Sequence, residues 1–315
     1  MMIKRFILPI MMGILGAELG LFAQFSQKSP RLVPLQFLFA FGNEGDELGA
    51  MRSPLALSID PSGNLYVADT GNHRIQKFDT RGTYQRYIGG IGWNEAQFDH
   101  PTDIWAASSL DVFVADYNNQ RIQRFDRHLN YLSSLRSSTD WDAIFQFGFP
   151  YSVALSRQGD LFLSDDEHNR ILKLDSFGQP IISFGGMGSM EGNLKQPGPI
   201  WITHGGLLFV TDLKGAQILR FDYFGNFLGN LGIGYLKAPL GLTFDEQRQY
   251  LFVADPGSAT VWAFSLKGEV IPVMLIQHTE QSDWQKPVDV AVWRDQLFVL
   301  DQNEPFVKVY RMLGM

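Results

Sequence analysis

Val67-Ala68-Asp69 returns as Val114-Ala115-Asp116 and as Val253-Ala254-Asp255, with variants at Leu163-Ser164-Asp165, Val210-Thr211-Asp212 and Val299-Leu300-Asp301. The six aspartates are spaced 47, 49, 47, 43 and 46 residues apart. A period of this length, carried by a short β-rich unit, specifies a repeat architecture: one copy cannot bury its own apolar faces and must stack on the next.

The first unit shows what is repeated. Leu55 to Asp60 is an apolar run opened by Pro54, and Pro61-Ser62-Gly63-Asn64 is a turn. Leu65 to Asp69 forms a second run, Thr70 to His73 a second turn, and Arg74 to Asp79 a strand with alternating character. After Thr80-Arg81-Gly82 comes a fourth strand, Thr83 to Ile88. The plan recurs from Pro101, Pro150, Pro199, Pro239 and Pro287. Second strands such as Leu208-Phe209-Val210 and Leu251-Phe252-Val253 are apolar on both faces, as expected of sheets sandwiched between sheets. Four-stranded sheets packed radially make a β-propeller, and six units make six blades. The expected fold is therefore all-β, a six-bladed propeller of antiparallel blades spanning 36–311.

The sixth unit supplies only three strands before the chain ends. Leu35 to Gly42, with Phe37, Phe39 and Phe41 at alternate positions, precedes the first unit and is the natural missing strand. Its addition would close the ring and leave no unpaired edge at the junction. Burial of the three phenylalanines, at roughly 1.5–3 kcal/mol each, is expected to dominate that closure.

The block Asp69-Thr70-Gly71-Asn72-His73-Arg74-Ile75 resembles the core of the NHL repeat. Asp116 to Ile122 and Asp165 to Ile171 are similar, as is the Gly-rich approach to a proline at Gly90 to Pro101. The later units depart from it, with Gln217, Thr260 and Phe306 in place of the arginine. The resemblance covers nearly all of 36–311. It implies a six-bladed propeller of a family whose members mostly bind partners, with a minority of enzymes and receptor sensor domains. The aspartate and arginine read as scaffold: the carboxylate is expected to accept backbone N–H groups of the following turn, and the guanidinium to pair with a carboxylate in its own or the next blade.

Composition removes several functions. The 26 basic residues against 33 acidic give a net charge of −7, without the basic excess that phosphate binding requires, so an RNA-binding role of the NHL type is disfavoured. The chain has no cysteine, which excludes disulfides, thiolate catalysis and cysteine-bound zinc. Residues 1–23 have the layout of a secretory signal: Lys4 and Arg5, an apolar run from Phe6 to Ala17, and small Ala23 before Gln24. That run is too short to span a bilayer, which needs about 20 helical residues. These features point to an exported, periplasmic or extracellular bacterial protein with no transmembrane span in the mature chain, a linker at 24–35 and a tail at 312–315.

In a propeller the fourth-to-first loops share one face with the second-to-third turns. Here those loops are 42–53, 89–100, 136–149, 185–198, 229–238 and 277–286. Met51, Phe98, Phe147, Leu194, Leu236 and Trp284 each stand three residues before a proline and read as plugs between blades. Trp93, Glu95, Trp141, Asp142 and Tyr235 fall outside that register; aromatics among polar groups make anchors for a peptide or a sugar. Asp103 and Asp289 lie two residues after opening prolines, near the channel, and are the candidate ligands of a hard cation such as Ca²⁺, with Zn²⁺ the alternative. No histidine recurs at one strand position, and only His204 and His100 could approach the channel. The expected function is noncatalytic binding of a protein or peptide partner by a monomer, with no resident cofactor. The alternative is a metal-assisted hydrolase or lyase using Asp103, Asp289 and His204 or His100.

Overall fold

The computed structural model describes residues 32–107, 111–186, 191–276, 283–303 and 306–313. The proposed signal at 1–23 and His278 lie outside them. Residues 33–315 form one compact unit, built as six antiparallel blades around an axial channel. Blade 1 runs Ala56–Ile59, Asn64–Asp69, Arg74–Asp79 and Tyr84–Gly89 from the inside outward, and blade 2 runs Pro101–Trp105, Asp111–Asp116, Arg121–Asp126 and Tyr131–Arg136. Blades 3, 4 and 5 open at Pro150, Pro197 and Leu242. In every blade the second strand is buried on both faces, because it is covered by the neighbouring blades on either side. The apolar clusters accordingly lie between blades: Tyr66, Ile104 and Val112 join the first two, and Phe209, Phe244 and Leu251 join the fourth and fifth.

Blade 6 closes the ring as the sequence requires. Val33–Phe41 pairs antiparallel with Val307–Met312, placing Phe41 opposite Val307 and Phe39 opposite Val309. Three details differ from expectation. The strand starts at Val33, two residues before the run read from the sequence, and Val33 is fully buried like Leu35. A bulge at Leu38 turns the strand over: Phe37 packs towards blade 5, edge-on to Tyr310, while Phe39 and Phe41 pack towards blade 1. Bulges re-aim side chains in this way, and alternation in the sequence conceals it. The phenylalanines themselves are only half-buried, because an outermost strand is covered less completely than those inside it. Phe41 recovers contact across the joint, 5.3 Å from the Phe78 ring and against Gly82, where a Cβ would stand 2.6 Å from the Phe41 ring.

A second departure concerns blade 5. Its outer strand is only Val270–Ile271; after Pro272 the chain crosses over, and Val273–Leu275 pairs parallel with Val33–Leu35 on the rim of blade 6. Pro272 lacks the N–H needed to continue its own ladder, while its carbonyl accepts the Val33 N–H at 2.9 Å. Both ends of the ring junction are thereby stitched.

Candidate functional site

The six repeated aspartates are fully buried, and each grips the loop that enters its own blade. Asp69 accepts the Arg52 N–H (2.6 Å), Asp116 that of Asp99 (2.8 Å) and Asp165 that of Gly148 (3.2 Å). Asp212, Asp255 and Asp301 accept those of Gln196, Ala238 and Lys286 (3.0, 2.8 and 2.9 Å). Arginine completes the clamp in the first three blades. Arg74 Nε lies 2.7 Å from Asp69 while its other nitrogens donate to the carbonyls of Asp46, Glu47 and Ala50. Arg121 holds Asp116 and the carbonyls of Trp93, Asn94 and Gln97. Arg170 does the same for Asp165, Ile144 and Gln146. A loop whose carbonyls are drawn inward by a guanidinium presents its side chains outward.

That local device makes the face. Trp93, whose carbonyl binds Arg121, has its side chain largely in solvent (67 % exposed), and Glu95 beside it is exposed. Tyr235 is 52 % exposed and rests edge-on against Trp262. Asp142 is exposed and its side chain caps nothing, although it precedes the short 3-10 turn Ala143–Phe145. Trp141 corrects the expectation of an exposed anchor: it is half-buried, packed on the core with its ring 6.3 Å from Phe147. The plugs Met51, Phe98, Phe147, Leu194 and Leu236 are buried as read.

Sequence reasoning missed four exposed apolar residues of the same loops: Leu48, Ile91, Ile144 and Ile233, each more than half exposed. Three of them share one register. The position three before the plug is exposed in all five described loops and reads Leu48, Glu95, Ile144, Glu191 and Ile233. Exposed apolar residues gathered on one face mark an interaction surface, and this register was visible once the plugs had been placed. Around the first three loops, Glu44, Asp46, Glu47, Glu95, Asp140 and Asp142 are exposed against Arg52 and Arg136. Over these three loops the face is apolar and acidic, whereas the other three expose Lys195, Lys237 and Lys286.

The channel carboxylates have other work. Asp289 accepts the Leu57 N–H of blade 1 at 2.7 Å, and Asp103 accepts the Val153 N–H of blade 3 at 3.2 Å together with the Ser152 hydroxyl. Ser58 accepts the Ala106 N–H and Ser152 that of Ile200, both at 3.0 Å. Thr211 donates to the Leu240 carbonyl and the Gly241 N–H donates to that of Val288. Every joint of the inner ring is thus tied, and the two aspartates are ties. Gly241 allows the last approach: a Cβ there would meet Asp289 Oδ1 at 1.9 Å. Burial pushes the Asp103 carboxyl up to about 6 against its hydrogen bonds; burial also pushes Asp289 well above the usual range, with the Asp103 charge adding to it. His204 lies in the turn after Pro197–Ile202, on the opposite face, and His100 donates its backbone N–H to His73 with its ring edge-on to Tyr117. Among the described residues no three of His, Asp and Glu converge to hold a metal. No helix among them is long and apolar enough to cross a membrane.

The NHL repeat family model matches residues 51–78 and 98–125, the cores of the first two blades. The chain is similar to Protein brain tumor of Drosophila melanogaster, 28 % identical over 110 residues that make 34 % of this chain and 11 % of that protein. It is 44 % identical over 45 residues to the E3 ubiquitin-protein ligase TRIM71 of Gallus gallus, covering 14 % of this chain and 5 % of the other. The matches therefore span only a small part of these curated relatives. Among solved structures, streptogramin B lyase superposes with a TM-score of 0.59 at 14 % identity, over 89 % of this chain and 88 % of that one. That likeness establishes the propeller fold.

Proposed function

For this six-bladed propeller carrying NHL repeats, we propose a noncatalytic binding role, in which the loop face takes a protein or peptide partner outside the cytoplasm of a bacterial cell. The observation that carries the reading is the set of exposed apolar residues Leu48, Ile91, Trp93, Ile144, Ile233 and Tyr235, the first four bordered by exposed acidic side chains, on loops held by buried clamps. A rigid aromatic surrounded by polar rim is what a hot spot needs. The acidic surround selects a cationic segment and repels phosphate backbones. Binding proteins of the same repeat family support the assignment by analogy alone.

The test places a photo-crosslinking residue at Trp93 in the native exported protein, and at Phe177 as a control on the opposite face. A discrete crosslinked partner is expected at Trp93 and not at Phe177. Glu47→Lys with Glu95→Lys should weaken its capture and flatten its salt dependence. Equal crosslinking from both faces, or capture indifferent to the charge reversals, would refute the loop-face reading. N-terminal sequencing of exported protein checks the compartment, with a start near Gln24 expected.

A further inference from the structure

The opposite end of the channel carries a second feature. Where the first-to-second strand turns converge, a cavity of about 450 Å³ is lined by all six blades, through Asp60, Ala107, Arg157, Trp201, Glu246 and Trp293. That volume lies within the range of small-molecule sites. Two indoles wall it: Trp201, packed on Trp105 at 4.8 Å, and Trp293, with the Arg294 guanidinium 4.2 Å over its ring.

The polar groups of the cavity are unequally engaged. Its carboxylates are occupied within the fold. Asp60 accepts from Ser62 N, Asn64 N, Asn64 Nδ2 and Tyr66 OH. Asp245 accepts from Gln247 N, Arg248 N and Arg248 Nη1, and Glu246 from His204 N. The donors are not so occupied. Arg157 and Arg294 are exposed, and neither guanidinium makes an ion pair or hydrogen bond among the described residues.

We propose that this axial cavity is a small-molecule site for a planar aromatic carboxylate. The ring lies against the indoles, and the carboxylate meets Arg157 and Arg294. Planar π-faces match indole and guanidinium walls, and a carboxylate matches the fork of an unpaired arginine. The site is independent of the loop face, which lies at the other end of the channel.

Calorimetric titration of the full-length protein with naphthoate, and with neutral naphthamide, tests the assignment. Saturable binding of naphthoate is expected, with naphthamide at least about tenfold weaker. Arg157→Gln and Arg294→Gln should each weaken naphthoate about tenfold at an unchanged melting temperature, since neither side chain holds the fold. Trp93→Ala should change nothing. The proposal is overturned if naphthoate fails to saturate at millimolar concentration, if naphthamide binds equally well, or if both arginine variants retain full affinity. It is equally overturned if Trp93→Ala abolishes binding, which would put the ligand on the loop face.

Discussion

Blades 1–3 and blades 4–6 keep the same aspartate at the same place and neutralise it differently. In the first three an arginine five residues on pairs with it at 2.7–3.1 Å. In blade 6 that position is Phe306, and the cation is Lys308, seven residues on, fully buried with Nζ 3.0 Å from Asp301 and 2.6 Å from the Asp283 carbonyl. Blade 5 uses no cation: Asp255 takes the Ser258 hydroxyl and the Lys237 N–H. Among the described residues blade 4 has no such partner, and Asp212 Oδ2 is buried without a hydrogen bond. What the repeat preserves is the grip on backbone N–H groups of the incoming loop, since those donors are shielded from water and must find an acceptor. The cation is the variable part.

The comparison breaks first at the ring junction, where both halves meet. Deleting 33–41 removes the outer strand of blade 6 and the partner of Val273–Leu275, exposing two edges. Loss of the cooperative melting transition, or aggregation, is the expected result; a monomer with unchanged melting would show that closure is dispensable. Next come the cations. Arg121→Met and Lys308→Met each leave a buried carboxylate without its counter-ion and should cost about 3–5 kcal/mol in denaturant unfolding. Equal costs would establish Lys308 as the functional replacement of the family arginine, and a small cost for Lys308→Met would deny it.

The channel aspartates give a smaller effect with a defined sign. Asp103 binds its proton more tightly folded, at about 6, than unfolded, near 3.8. Its contribution is therefore present at low pH and is lost as pH rises from about 4 to 6, by up to about 3 kcal/mol less whatever water in the channel screens. Asp103→Asn should remove that slope from the pH dependence of stability; an unchanged slope would assign it elsewhere. The smallest change is expected in blade 4. Asp212→Asn removes a buried charge that has no counter-ion and keeps an acceptor for Gln196, so it should shift stability by no more than about 1 kcal/mol, whereas Asp116→Asn should cost several times that.

Legibility in the sequence followed the same division. The period, the six blades, the buried plugs and the closing strand were readable, because each depends on apolar runs and turns local to a single repeat. The bulge at Leu38, the crossing of Val273–Leu275 and the relocation of the cation to Lys308 were not, since each is settled by a neighbouring blade. Among the site residues Trp93, Glu95, Asp142 and Tyr235 stand exposed as read, and Trp141 does not, because Phe147 and the core of blade 3 offer it a surface that no local pattern announces. Asp103 and Asp289 were correctly placed at the channel, but their partners lie one blade away.

By itself the sequence determined a ring of six like units, since a repeated strand pattern with two apolar faces can be satisfied only by stacking on copies of itself. The tertiary structure decided which polar atoms are left over. Hydrogen bonds between blades consumed Asp103 and Asp289, bonds within their own turns consumed Asp60 and Asp245, and the guanidiniums of Arg157 and Arg294 were left at the axial cavity without an ion pair or hydrogen bond among the described residues. Whether a polar group is satisfied depends on what packs against it from a distant part of the chain, and that information is carried by the assembled ring alone.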